Sequence, residues 1–224
     1  MQLRRVKIAT KYGIQLPKLP KQLPAAGIEA LTDDALYEQK LFSGIHLDDQ
    51  HAADLIFEQC LFRRVSFLQT QMTNIRLDNC RLEMCDLSGA AWTNARLRRV
   101  EISGSRLLGS TLAEGAFEDV IFIDCPAERA NFTWASFRSV RFEKCDLRGS
   151  AFIGADLKGA VFHQCDLTGA DMREASLTGA DFRTSTIDRL NVGVNELRGV
   201  VISPPQTLQV MGLLGIQVKE VDEE

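Results

Sequence analysis

Between Cys145 and Phe182 a large apolar residue returns at every fifth position: Phe152, Leu157, Phe162, Leu167, Met172, Leu177 and Phe182. Two places before each stands a small one: Ser150, Ala155, Ala160, Cys165, Ala170, Ala175 and Ala180. A period of five fits neither the 3.6-residue repeat of an amphipathic helix nor the two-residue alternation of a plain strand. A chain with so short a repeat has to coil, so that each turn covers the core of the next.

The register reaches far beyond this stretch. From Phe42 to Ile202 every residue whose number ends in 2 or 7 is apolar, with Ala52 and Ala127 the only small ones, and all 12 Phe fall in this column. All 6 Cys fall two places earlier, in a column shared with Ala, Ser and Val. Ten of the 16 Gly fall two places after the large residue, among them Gly44, Gly89, Gly154 and Gly179. Large and small residues therefore point inward together, and the chain turns a corner at the glycine column, where a positive φ costs least. The three remaining columns are mostly polar and are expected to face water.

The triplets Ala155-Asp156-Leu157, Ala170-Asp171-Met172 and Ala180-Asp181-Phe182 resemble the repeat of the pentapeptide-repeat family, A-(D/N)-L-x-x. The resemblance covers roughly three quarters of the chain without an insertion. It implies an all-β fold, a right-handed quadrilateral β-helix with four five-residue faces per coil. At a strand spacing of about 4.8 Å, about eight coils would make a rod about 40 Å long.

The chain has 224 residues, 45% apolar and 25% charged, which one solenoid can absorb nearly whole. A net charge of −4 points away from direct nucleic-acid binding and from an anionic membrane. No apolar run approaches the length of a membrane span, and Met1 to Gly13 lacks the apolar core of a signal peptide, so a cytoplasmic protein is expected. The cysteines Cys60, Cys80, Cys85, Cys125, Cys145 and Cys165 occupy core slots and read as buried thiols, without metal or disulfide spacing. Cys80 and Cys85, on adjacent faces of one coil, are the pair to test for oxidation.

Three segments follow. Residues 1–40 form a basic, Pro-containing tail and cap: Met1 to Pro24 carries Arg4, Arg5, Lys7, Lys11, Lys18 and Lys21 without an acid, and prolines that favour an extended segment. Ala25 to Lys40 suits a capping turn or short helix over the first strand edge. Residues 41–202 form the β-helix. Its coils before about Ile75 have Ile45, Gln50, Leu55, Thr70 and Ile75 in the small slot, which predicts twist or a bulge there. Trp92 and Ala127 also depart from the large-slot norm, with Phe122 and Phe132 flanking the gap at Ala127. Residues 203–224 form a terminal module: Ser203-Pro204-Pro205 is a helix start, Gly215 its end, and Ile216, Val218 and Val221 alternate like a last strand. Leu208, Met211, Leu213, Leu214 and Ile216 exceed what one chain end needs to cover itself and predict a homodimer interface.

This ending, from Leu197-Arg198-Gly199-Val200 to Gly215-Ile216-Gln217-Val218, is similar to the C-terminal module of Qnr-type quinolone-resistance proteins and their mycobacterial relative. The similarity implies a dimerising helix and a rod that imitates duplex DNA and binds DNA gyrase or topoisomerase IV. A DNA mimic needs a stripe of carboxylates. The most acidic face carries Asp86, Asp146 and Asp166, with Asp48, Asp49, Glu128 and Asp188, against Arg106, Arg129, Arg148 and Arg189. The adjoining face is interrupted by Arg96, Arg98, Arg99 and Arg138. The alternative is a general protein-interaction scaffold.

An enzyme gathers its groups in a concavity. Here His46, His51 and His163 stand in outward columns, the Asp before each large residue is spread over all four faces as solvated surface, and the glycines are spaced by fives. No catalysis, cofactor or metal is expected.

Overall fold

The computed structural model describes residues 13–219. Its strands are short: three residues each from Leu36–Glu38 to Ala91–Thr93, eight each in Arg96–Ser103, Ala116–Ile123 and Ser136–Glu143, and three in Val161–His163. All pair in parallel at an offset of 20 residues, as in Leu36↔Ile56, Arg96↔Ala116 and Arg141↔Val161. Single bridges carry the same offset to Asp181↔Val201. The result is a β-solenoid whose coil is four pentapeptides, ending in one short helix, Thr207–Leu213.

From Asp34 to Gly179 each corner is a left-handed residue whose N–H points to the next rung. Asn74, at φ 57°, donates to the Thr93 carbonyl at 3.0 Å, and Gly89, at φ 66°, to that of Leu108 at 2.9 Å. The corner is therefore a fixed backbone state. Where glycine is missing, Asn and Asp hold it at modest cost, and Met84, Arg99 and Trp134 hold it against their own preference.

From Phe42 to Val192 every large-slot residue is buried. Rings stack at the rung repeat: Phe122–Phe142 at 4.7 Å, Phe142–Phe162 at 5.1 Å and Phe162–Phe182 at 4.8 Å between centroids. At the small Ala127, Phe122 and Phe132 meet edge to face at 6.2 Å. In the small column the thiols are hydrogen-bond donors: Cys80 Sγ reaches the Phe57 carbonyl at 3.3 Å and Cys125 Sγ that of Ile102 at 3.5 Å. Ser105 and Ser185 hydroxyls make the same bond, to Leu82 and Phe162.

The early coils are regular, where the sequence predicts a bulge. Leu41↔Leu61 and His51↔Gln71 keep the 20-residue register, and Leu55 and Ile75 are buried in the small slot. The two odd residues compensate each other: the Trp92 indole N–H donates to Thr70 Oγ1 at 3.1 Å, and Thr70 Oγ1 donates to the Phe67 carbonyl at 2.9 Å. Gln50 accepts from the Leu31 N–H at 2.7 Å and so fastens the preceding segment to the first coils.

Residues 25–40 contain no helix; a strand, Leu36–Glu38, and the bridge Ala25↔Leu41 stand there instead. The segment from Gly13 to Ala26 lies along the rod. Ile14 packs on Ile121 and Ile123, the Gln15 N–H donates to Asp119 at 3.1 Å, and the Lys18 N–H donates to Asn79 at 3.2 Å. Pro24 accepts from the Leu41 N–H at 2.9 Å. This strap crosses from the level of Ile121 to that of Leu41, four rungs or about 19 Å. Arg4, Arg5, Lys7 and Lys11 of the basic tail lie outside the described residues. On the strapped side the outward columns are not solvated: Glu101, Ser103, Ile121, Ile123, Arg141 and Glu143 are all buried. The Ile-Phe-Ile at 121–123, with both flanking outward positions apolar in columns that are mostly polar, is the local signal of it.

The stacked core and the thiol slot separate in their expected costs. Phe142→Ala, in mid-ladder, is expected to destabilise by about 3–5 kcal/mol, and Cys165→Ser by under about 1 kcal/mol. Urea denaturation of both variants measures this; equal losses would refute the donor role given to the thiol.

Candidate functional site

On the predicted acidic face the ladder His46, Ser66, Asp86, Arg106 is followed by Pro126, Asp146, Asp166, Thr186. Asp146 and Asp166 are direct neighbours; Asp86 lies further up the same face. These carboxylates do more than meet water. Asp86 Oδ1 accepts from the Ser88 N–H at 2.9 Å and Asp166 Oδ1 from the Thr168 N–H at 2.9 Å, and Asp171 and Asp181 accept from Arg173 and Arg183 in the same way. An aspartate one place before the large residue closes the turn that leads to the corner. The frequency of Asp in this column is thus explained by local folding.

The strip is also partly neutralised. Arg148 lies against Asp146, reaches Glu128 at 3.0 Å and stands 3.9 Å from Asp166. The Arg148 guanidinium holds the Asp146 carboxyl below its ordinary range, and Arg173 and Arg183 do the same for Asp171 and Asp181. Arg106 is 3.8 Å from Asp86. On the adjoining face Arg98 and Arg99 both engage Asp78, and Arg138 stands 3.9 Å from Glu118.

The C-terminal module closes the last coil. Ser203 donates from its N–H and its hydroxyl to Gln206 Oε1, at 2.8 and 2.9 Å, and starts a 3₁₀ turn, Pro204–Gln206. The buried Gln206 amide then donates to the carbonyls of Phe182 and Ser185, at 2.9 and 2.8 Å. In the helix Val210 and Leu213 pack on the core. Gly215, at φ 71°, ends it, with the Ile216 N–H returning to the Met211 carbonyl at 2.9 Å and the Gly215 N–H to that of Gly212 at 3.0 Å. Among the predicted interface residues, Leu208 and Ile216 are exposed, Met211 and Leu214 are half-buried, and Leu213 faces its own coil. Residues 216–219 form no strand, and Val221 lies outside the described residues.

All six cysteines are free; in the small column Cys80 stands one rung from Cys60, and Cys145 one rung from both Cys125 and Cys165. Burial pushes the Cys85 thiol up to about 11. His46 stands 3.4 Å from Asp48, and the His163 ring shares a hydrogen bond with Thr184 at 3.0 Å. Among the described residues no three of His, Cys, Asp and Glu are grouped to hold a metal ion, and no helix is long and apolar enough to cross a membrane.

One aromatic residue stands outside this order. Trp134 occupies a corner at φ 58° with 58% of its surface exposed. Its indole lies over Gly154, where a β-carbon would collide with the ring. An outward Trp gains little for the core, and its left-handed backbone is costly for a bulky residue. The sequence signal is a lone aromatic residue in a column of glycines and mostly polar residues.

Comparison with known proteins gives matches to family models described as "Pentapeptide repeat region", over residues 103–172 and 135–203, and "Pentapeptide repeats (8 copies)", over residues 75–112. Together they span more than half of the chain. Among curated proteins no match is found. Among solved structures, similar chains include HetL, a pentapeptide repeat protein involved in heterocyst differentiation regulation from the cyanobacterium Nostoc sp. strain PCC 7120. It is 19% identical, with 76% of this chain and 84% of that one covered at a TM-score of 0.47. QnrB1, a plasmid-mediated fluoroquinolone resistance protein, is 18% identical, with 81% and 99% covered at a TM-score of 0.46. A thylakoid-lumen pentapeptide repeat protein from Arabidopsis thaliana is 21% identical, with 44% and 61% covered at a TM-score of 0.28.

The Asp–Arg turn pairs set a pH dependence. Asp146 and Asp171 titrate lower in the folded chain than the about 3.9 of a free aspartate, so their contribution is present above about pH 4 and lost as pH falls through the lowered values. The double variant Arg148→Gln/Arg173→Gln is expected to melt below the parent at about pH 6 and to match it near about pH 2. Thermal melts across that range check this, and a gap that widens in acid would contradict it.

Proposed function

The chain belongs to the pentapeptide-repeat family, and from that premise we propose that it is a non-catalytic, cytoplasmic rod that binds other proteins and pairs with itself through its C-terminal module. The observation that carries the reading is large apolar surface displayed where folding gains little from it. Trp134 stands outward on a corner, and Leu208, Ile216 and Val218 are 66%, 50% and 61% exposed at one end of a rod whose core is already filled. Exposed aromatic anchors and terminal apolar faces are what protein partners cover.

Leu208, Ile216 and Val218 serve the homodimer, with Met211 and Leu214 at its edge. Light scattering on the whole chain should give a dimer, and Leu208→Glu a monomer. Trp134→Ala should stay dimeric and folded while losing at least about tenfold in affinity for the protein partner. A parent chain that is monomeric at micromolar concentration would remove the pairing, and partner affinity unchanged in Trp134→Ala would remove the anchor.

A second reading is favoured by the adjacency of Asp146 and Asp166 with Glu128 on one face. In it the rod takes the place of duplex DNA on DNA gyrase or topoisomerase IV, through Asp86, Asp146 and Asp166. Three carboxylates around Arg148 make this field weak beside that of a duplex. The unbroken 20-residue register carries no projecting loop between coils, so the expected effect is inhibition of supercoiling without efficient relief of quinolone poisoning. Binding should weaken with added salt and on reversal of Asp146 and Asp166 to Lys. A supercoiling assay at low salt decides it: no inhibition with the rod in large excess would leave the general protein-binding rod.

A further inference from the structure

Several arginines of this rod stand against an acid one rung away. Arg63 stands 3.1 Å from Glu83, Arg106 3.8 Å from Asp86, Arg138 3.9 Å from Glu118 and Arg148 3.0 Å from Glu128. Each pair is separated by 20 residues, one rung. Arg76 and Arg96 are placed otherwise. They are direct partners in the parallel ladder, both are exposed, and neither has an ion pair or side-chain hydrogen bond among the described residues. No other arginine of the described residues stands over an arginine. Like charges stacked in register are destabilising, and the fold gains nothing visible in return.

Beside this pair runs an open groove of about 480 Å³, bounded also by Arg98, Ala116, Phe117 and Ser136. Its volume is that of a small-molecule site. Ala116 and Ser136 continue the row of Arg76 and Arg96 with short side chains, so the groove stays open below the guanidinium pair. Three acids stand on its far wall. Asp78 is held by Arg98 and Arg99, Glu118 faces Arg138, and Glu58 lies one rung above Asp78, outside ion-pair reach of both arginines. Two guanidinium forks one rung apart, about 4.8 Å, can converge on one tetrahedral oxyanion with several N–H donors.

We propose that Arg76 and Arg96 hold the phosphate of a small phosphate monoester whose body lies in the groove beside Ala116 and Ser136. The inference stands apart from the protein-binding reading, because it uses neither Trp134 nor the terminal helix. Occupation relieves the repulsion between the two arginines, so ligand should raise the melting temperature, and the unliganded Arg96→Gln chain should melt no lower than the parent.

The test uses the full chain at low ionic strength, with adenosine monophosphate, adenosine and inorganic phosphate as probes in calorimetry and thermal melts. Adenosine monophosphate is expected to bind the parent and to bind Arg76→Gln and Arg96→Gln at least about tenfold more weakly. Arg129→Gln, at an exposed corner without an ion pair, should bind like the parent. Three results would each overturn the proposal. The first is no binding of the monophosphate at about 10 mM. The second is adenosine binding as tightly as the monophosphate, which removes the oxyanion. The third is inorganic phosphate binding as tightly, which removes the groove.

Discussion

A coil of this rod closes in 20 residues because four left-handed corners turn it, and each corner N–H is bonded to the rung below. This is the constraint on which the rest depends. Once the corners are fixed, one residue per face must point straight inward, and only a large apolar side chain fills the space. The Phe stack at 4.7–5.1 Å follows from the rung spacing itself. Corner and core support one another: a corner that relaxed would rotate the next inward residue out of its ladder.

The same constraint makes the surface a lattice with little freedom. Rows of side chains lie one rung apart, so a charge meets either the residue two places away in its own pentapeptide or the one 20 positions away on the next rung. Arg63, Arg81, Arg98, Arg106, Arg138 and Arg148 are placed against acids in this way, and the aspartates before the large column serve the turns as well as the solvent. Charge that would be counted as a field from the sequence is thus largely consumed within the fold. Arg148 shows the effect most plainly, standing among Glu128, Asp146 and Asp166.

What could be read from the chain alone was what repeats. The large column, the thiol and alanine column and the Gly corners are legible because five-residue spacing states them many times over. What could not be read depends on single encounters between distant residues. Ile121 and Ile123 look like misplaced surface until Ile14, more than a hundred residues earlier, lies on them. Thr70 and Trp92 read as two irregularities and are one hydrogen bond. The acidic face was legible as a set of neighbours, while the turn bonds of Asp86 and Asp166 were not, since they depend on the carboxylate curling toward its own backbone. Cys60 and Cys80 stand one rung apart in the small column, a stacking that adjacency within one coil does not display. The outward position of Trp134 is written in its column, but the opening over Gly154 is not.

A stack of identical rungs has no natural last member, since each coil offers the next the same open carbonyls. In the body of the rod the Cys165 carbonyl accepts from the backbone N–H of Thr186, 21 residues on. At the end the Ser185 carbonyl accepts from Gln206, also 21 residues on, but through the side-chain amide. The chain thereby completes the hydrogen bond that another coil would make while its backbone departs into a helix. Gln206 acts as a chain stopper in a one-dimensional lattice, presenting the bond of growth without the template for it, and so keeps a fold built on indefinite repetition from continuing into a fibre.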